Sequence, residues 1–156
     1  MSLSGRFIAA LVCGPVLAAA AGAQTPSAAP TYGEASLSAG FTPDPYIINL
    51  DAGGAINAAA QLGPECPGFI ADAPDFDLYY NAGSLPLIIS VSADADTTLV
   101  VNAPDGSWYC DDDGGAGVNP RLRFGAPQSG LYGIWVGTYV SGRTERAQLR
   151  ISELDR

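Results

Sequence analysis

The chain contains no histidine, and its seven cationic residues are all arginine, so lysine is missing as well. Without histidine there is no Ser-His-Asp or Cys-His arrangement and no imidazole to hold zinc or iron. Without lysine there is no Schiff-base amine, no Ser-Lys pair and no phosphate-binding G-x-x-x-x-G-K-[ST] loop. Positive charge as a whole is scarce: seven arginines stand against sixteen carboxylates, a formal charge of −9. A phosphate backbone or an anionic bilayer attracts clustered Lys and Arg, so the composition argues against nucleic acid and membrane surfaces as partners. Carboxylates are the most plentiful groups left for acid–base work. A pair of them is enough to hydrolyse a glycosidic bond, but sixteen acids in 156 residues place some pair together in any fold. That pattern is uninformative, and the chain reads as non-catalytic.

Long apolar runs are also rare, with one exception. Phe7 to Ala21 is apolar apart from Gly14 and Pro15, follows Arg6, and ends in the small residues Ala21-Gly22-Ala23. This is the pattern of a cleaved signal peptide over residues 1–23, with Gln24 as the mature N-terminus. A membrane anchor of about 20 residues is the poorer reading, because the run is short and Pro15 breaks it. Cys13 lies inside the signal, in a faint lipoprotein-like box that would end the signal before its alanine-rich stretch. Removal of Arg6 leaves six arginines against sixteen acids, a balance of −10. The protein is therefore expected to be secreted or periplasmic. Cys66 and Cys110 remain, and an even pair in an oxidising compartment reads as a disulfide rather than as two buried thiols. It would close a loop of 44 residue steps.

Residues 24–40 are rich in Ala, Ser, Pro and Gly and have little to bury, so they read as a flexible leader. From Phe41 onward, short alternating runs are separated by turn residues. Tyr46-x-Ile48-x-Leu50, Phe76-x-Leu78-x-Tyr80, Leu87-x-Ile89-x-Val91, Tyr132-x-Ile134-x-Val136 and Leu149-x-Ile151 all have period two. Residues 41–156 are thus expected to form one all-β domain, a single antiparallel, jelly-roll-like sandwich of about eight strands. Ala58-Ala59-Ala60 is too short and too close to Gly63-Pro64 to argue for a helix. Pro104-Asp105-Gly106 predicts a hairpin between 97–103 and 107–110.

The segment Asp96-Thr97-Thr98-Leu99-Val100-Val101 continues through Asp105-Gly106, Asp112-Asp113-Gly114-Gly115 and Asn119 to Ser129-Gly130-Leu131-Tyr132 and Val136-Gly137-Thr138-Tyr139. This order resembles the bacterial pre-peptidase C-terminal domain family over about 45 residues. Upstream, Gly40 to Tyr46 and Cys66 to Ile70 resemble a cysteine-containing secreted branch found in Alphaproteobacteria. The resemblance implies a β-sandwich that accompanies secreted hydrolases, in several members with calcium-binding loops. Residues 41–156 are expected to hold this module alone, with no protease domain among the 156 residues.

Asp111, Asp112 and Asp113 make sense as a calcium loop on their own terms. Unit charges about 4 Å apart repel by roughly 4 kcal/mol at an effective dielectric near 20, and a hard cation with six to eight oxygen ligands removes that repulsion. Asp94 and Asp96 share one strand face, and the Asn119 amide oxygen is a further candidate ligand. The plainer reading of the same residues is a solvated acidic turn. Trp108, Tyr109, Trp135 and Tyr139 are candidates for an exposed aromatic surface, although rings more often pack than bind. Alternation puts Trp135 opposite the core-facing Tyr132, Ile134 and Val136. The expectation is a non-catalytic module, stiffened by structural calcium, that contacts a protein or polysaccharide. A metal-free structural or self-associating protein is the alternative, and a carboxylate-pair hydrolase a minor one.

Overall fold

The computed structural model describes residues 24–155, so the signal peptide over 1–23 and its cleavage point lie outside the described residues. The strands are β1 (Glu34–Ser38), β2 (Tyr46–Gly53), β3 (Ile56–Asn57), β4 (Phe69–Ile70), β5 (Phe76–Asn81), β6 (Leu87–Ala93), β7 (Thr97–Asn102), β8 (Trp108–Asp111), β9 (Arg121–Phe124), β10 (Gly130–Thr138) and β11 (Thr144–Ser152), with one short helix, α1 (Ala58–Leu62). They form two sheets that pack face to face. Sheet A has β10 at its centre, flanked on one side by β5 and then β1, with β4 and β3 continuing that side, and on the other by β7 and then β8. Sheet B runs β2-β11-β6-β9.

The period-two pattern works as expected. Phe76, Leu78, Tyr80, Leu99, Val101, Tyr132, Ile134 and Val136 of sheet A meet Leu50, Leu87, Ile89, Val91, Leu149 and Ile151 of sheet B in one core. The predicted hairpin forms between β7 and β8. Its turn uses the left-handed conformation open to Gly106 (φ 81°), and the Asp105 carboxylate accepts the Ser107 N–H at 2.9 Å.

A second, smaller cluster covers the outer face of sheet A. Trp135 and Val100 point outward from β10 and β7, as alternation requires, and Ala58, Cys66 and Ile70 close over them. Trp108 stacks on Trp135 with ring centroids 5.2 Å apart. The Cys66–Cys110 disulfide, with Cα atoms 5.0 Å apart, ties this cover to β8. The cover lies flat because Gly137 has no side chain: a Cβ there would sit 2.6 Å from the Phe69 carbonyl oxygen.

Four expectations change. There are eleven strands rather than eight, because β1, β3 and β4 are too short or too poor in large apolar residues to show a pattern. Residues 34–38 of the supposed leader form β1, held by main-chain pairing to β5, with only Ala35 and Leu37 against the core. That pairing is parallel, so the sandwich is not wholly antiparallel. Ala58-Ala59-Ala60 does turn into a helix. The Asn57 side chain caps it by accepting the Ala60 N–H at 3.3 Å, and Ala58 is buried against Trp135 and its neighbours.

β5 and β4 leave a gap along β10, and a buried carboxylate fills it. β5 pairs with β10 as far as Ile134, β4 resumes at Thr138, and between them the Val136 N–H donates to Asp75 Oδ2 at 2.7 Å. Asp75 is 3% exposed, and burial raises its pKa to about 7 against the opposing pull of that hydrogen bond. Asp77, also buried, is raised by desolvation and then by Glu34.

Candidate functional site

Three connections gather at one end of the sandwich. Thr138 of β10 pairs with Thr97 of β7, and Leu99 of β7 pairs with Asp111 of β8. The 94–96, 112–120 and 139–143 loops therefore leave the sheets on the same side. Hydrogen bonds tie them together. Tyr139 N–H donates to the Asp96 carbonyl at 3.2 Å, and Thr97 N–H donates to the Val118 carbonyl at 3.4 Å. Asn119, which is buried, accepts from Thr97 Oγ1 at 2.6 Å and donates through Nδ2 to the Ala93 carbonyl at 2.8 Å. The Asp111 carboxylate brackets its own loop, with Oδ2 accepting the Gly114 N–H at 2.8 Å and the Arg121 N–H at 2.7 Å.

These bonds sort the six residues proposed for a metal. Asp111 Oδ2 and Asn119 Oδ1 accept hydrogen bonds that shape the loops. Asp94 turns to a depression on sheet B, beside Asp51 and Arg146. Asp96, Asp112 and Asp113 stay within electrostatic reach of one another: the Asp96 pKa is raised by burial first, then by Asp113 and Asp112. Among the described residues no group of three or more carboxylates or cysteines is placed to hold a metal ion.

The four aromatic candidates do not form one surface either. Trp135 is fully buried and donates its indole N–H to the Asp72 carbonyl at 3.2 Å. Trp108 lies over it on the covered face of sheet A. Tyr109, its neighbour on β8, points to the opposite face and packs edge-on against Phe124 with centroids 5.1 Å apart. Only Tyr139 is at the loop end, 49% exposed.

Tyr139 has company there that the strand pattern did not reveal. Val118 is 47% exposed and Val140 is 53% exposed, each on one of the three stitched loops. Their signal in the sequence is weak but real: both are apolar residues in glycine-containing stretches outside the alternating runs. The loop end thus combines three exposed apolar side chains with Asp96, Asp112 and Asp113, and Arg143 supplies the nearby positive charge.

No family model matches the chain. No curated protein matches it. Among solved structures it is similar to the crystal structure of Aeromonas hydrophila PliG, a periplasmic lysozyme inhibitor of g-type lysozyme. The identity is 15%, the match covers 77% of this chain and 96% of that chain, and the TM-score is 0.39.

Proposed function

We propose that the protein is an exported, non-catalytic recognition module that binds a protein with a cationic surface through its loop end. The observation that supports this most is the conjunction of exposed Val118, Tyr139 and Val140 with Asp96, Asp112 and Asp113 on loops that are cross-linked by hydrogen bonds. Apolar side chains presented on a pre-ordered frame lose little entropy on docking. A rim of one charge sign selects a partner of the other sign and speeds its encounter. The overall balance of −10 acts in the same direction. Asp75, whose pKa burial raises to about 7, is enclosed in sheet A and not presented to a substrate. The reading does not depend on calcium at the Asp111–Asp113 loop.

Biolayer interferometry of the mature protein against purified cationic and anionic secreted proteins tests it. The panel includes g-type lysozyme, the enzyme that PliG inhibits. Binding to a cationic member should weaken as salt is raised. It should fall at least tenfold in Tyr139→Ala and Val140→Asp, with melting temperatures unchanged. Failure of every cationic member to bind, or binding indifferent to both substitutions, overturns the proposal.

A further inference from the structure

The arginines of this acidic chain are not scattered. Arg121, Arg123, Arg146 and Arg150 all point outward from sheet B, on β9 and β11, where each alternates with a core residue or with the strand's inner face. Strand register sets Arg150 between Ile47 and Ser90, and Ser90 beside Arg121. The next row, toward the loop end, holds Asn49, Gln148 and Ser92. Gln148 Nε2 donates to Asn49 Oδ1 at 3.1 Å, which fixes both carboxamides across the strands.

This face is grooved. A depression of about 560 Å³ over Asn49, Ser92, Arg146 and Gln148, with Asp51 and Asp94 in its lining, shares Ser92 with a second of about 440 Å³ that holds no carboxylate. The second contains Ser90, Arg121 and Arg150, and Gly114, Gly115 and Ala116 form its wall. It shares Ser90, Arg121 and Arg150 with a third depression, which ends at Pro45 and Leu154. The loop bracketed by Asp111 is therefore the side of a groove that follows β6 and β11. Asp155 pairs with Arg121 and Arg123, and Asp51 stands opposite Arg146 in register. Arg150 has no ion pair among the described residues and sits in the middle of the groove.

We infer that this groove on sheet B binds an oligosaccharide carrying a carboxylate, with Arg150 as the carboxylate-reading residue. The planar guanidinium matches a carboxylate through two parallel hydrogen bonds, which an isolated surface charge does not. Ser90, Ser92, Asn49 and Gln148 supply the donors and acceptors that sugar hydroxyls require, and Ile47, Pro45 and Leu154 offer apolar contact for a ring face. An added peptide strand needs a free sheet edge, yet β6 and β11 are hydrogen-bonded on both sides. A ligand charged at every unit meets the repulsion of the −10 chain. A single uronate on a neutral backbone fits both facts.

Calorimetric titration of the mature protein with a glucuronate-substituted xylo-oligosaccharide, its carboxyl-reduced counterpart, oligogalacturonate, alginate oligosaccharides and a glutamate-rich peptide tests the assignment. The glucuronate-substituted xylo-oligosaccharide should bind, more tightly than oligogalacturonate or the alginate oligosaccharides, and reduction of its carboxylate should weaken binding tenfold or more, the factor that about 1.4 kcal/mol makes. Arg150→Ala should cause the same loss with an unchanged melting temperature, and Arg150→Lys should restore part of it. Tyr139→Ala should leave glycan binding intact, which separates this groove from the loop end. The assignment is overturned by silence from the glucuronate-substituted xylo-oligosaccharide, by equal affinity for the acid and its reduced form, or by tighter binding of a polyuronate or of the acidic peptide.

Discussion

Asp75 makes the stability of this sandwich dependent on pH in a direction opposite to the usual salt-bridged carboxylate. Its pKa is 3.8 in the unfolded chain and about 7 when buried. Between those values the folded state holds one proton more than the unfolded state, so stability falls as pH rises, by about 1.4 kcal/mol per pH unit. The stabilisation is complete below pH 3.8 and gone above about pH 7. Over that window the loss approaches about 4 kcal/mol. At 3% exposure, solvent screening reduces it little. Asp77 is shifted in the same direction, so the wild-type slope alone does not isolate Asp75. Asp75→Asn does. The carboxamide oxygen can still accept the Val136 N–H, but the group no longer ionises. Urea unfolding of both proteins at pH 4, 5, 6, 7 and 8 measures the difference. The variant should match wild type within about 1 kcal/mol at pH 4 and exceed it by a few kcal/mol at pH 8. Equal slopes in the two proteins, or a wild-type midpoint level from pH 5 to 8, would refute the reasoning.

Two further outcomes are expected. Replacing Cys66 and Cys110 together by Ala should cost on the order of 4 kcal/mol in urea, the chain-entropy value for a loop of 44 residue steps. It should also change tryptophan fluorescence, because the bridge packs against Trp108 and Trp135. Thermal melts in calcium and in EDTA should coincide within about 2 °C, since a ligand at 100 times its Kd would add about 2.7 kcal/mol and shift a domain of this size by several degrees. A melt raised by 5 °C or more in calcium would instead show that the folded protein binds the ion.

The sandwich was legible because alternation is a property of the residues themselves: Tyr132, Ile134 and Val136 face inward whatever their partners are. The same parity, carried further, also excludes a shared aromatic surface on β8, since Trp108 and Tyr109 are adjacent and must point apart. β1 was invisible for the opposite reason. Its stability comes from main-chain pairing with β5, while its own side chains, Glu-Ala-Ser-Leu-Ser, say almost nothing. The acidic loop shows a third case. Sequence reveals that three carboxylates are adjacent, but not that Asp111, at the end of β8, is turned to two backbone N–H groups before a metal can compete. The arginine face was present in the spacing of Arg121-Leu122-Arg123 and Arg146 to Arg150, and becomes a surface only when register sets β9 and β11 on either side of β6.

Where this fold can recognise anything follows from what it has already covered. A two-sheet sandwich offers two outer faces and two loop ends. Here the outer face of sheet A is occupied by the chain's own 56–70 segment, with Trp135, Ile70 and Ala58 at or near zero exposure and a disulfide holding the cover in place. A ligand would have to displace that cover, with a fully buried Trp whose removal alone costs about 3–5 kcal/mol. Among the described residues sheet B has no such cover over β11 and β6, and the loop end is stitched rather than buried. Closing one face concentrates recognition on the surfaces that remain, one rimmed by acids and one lined by arginine.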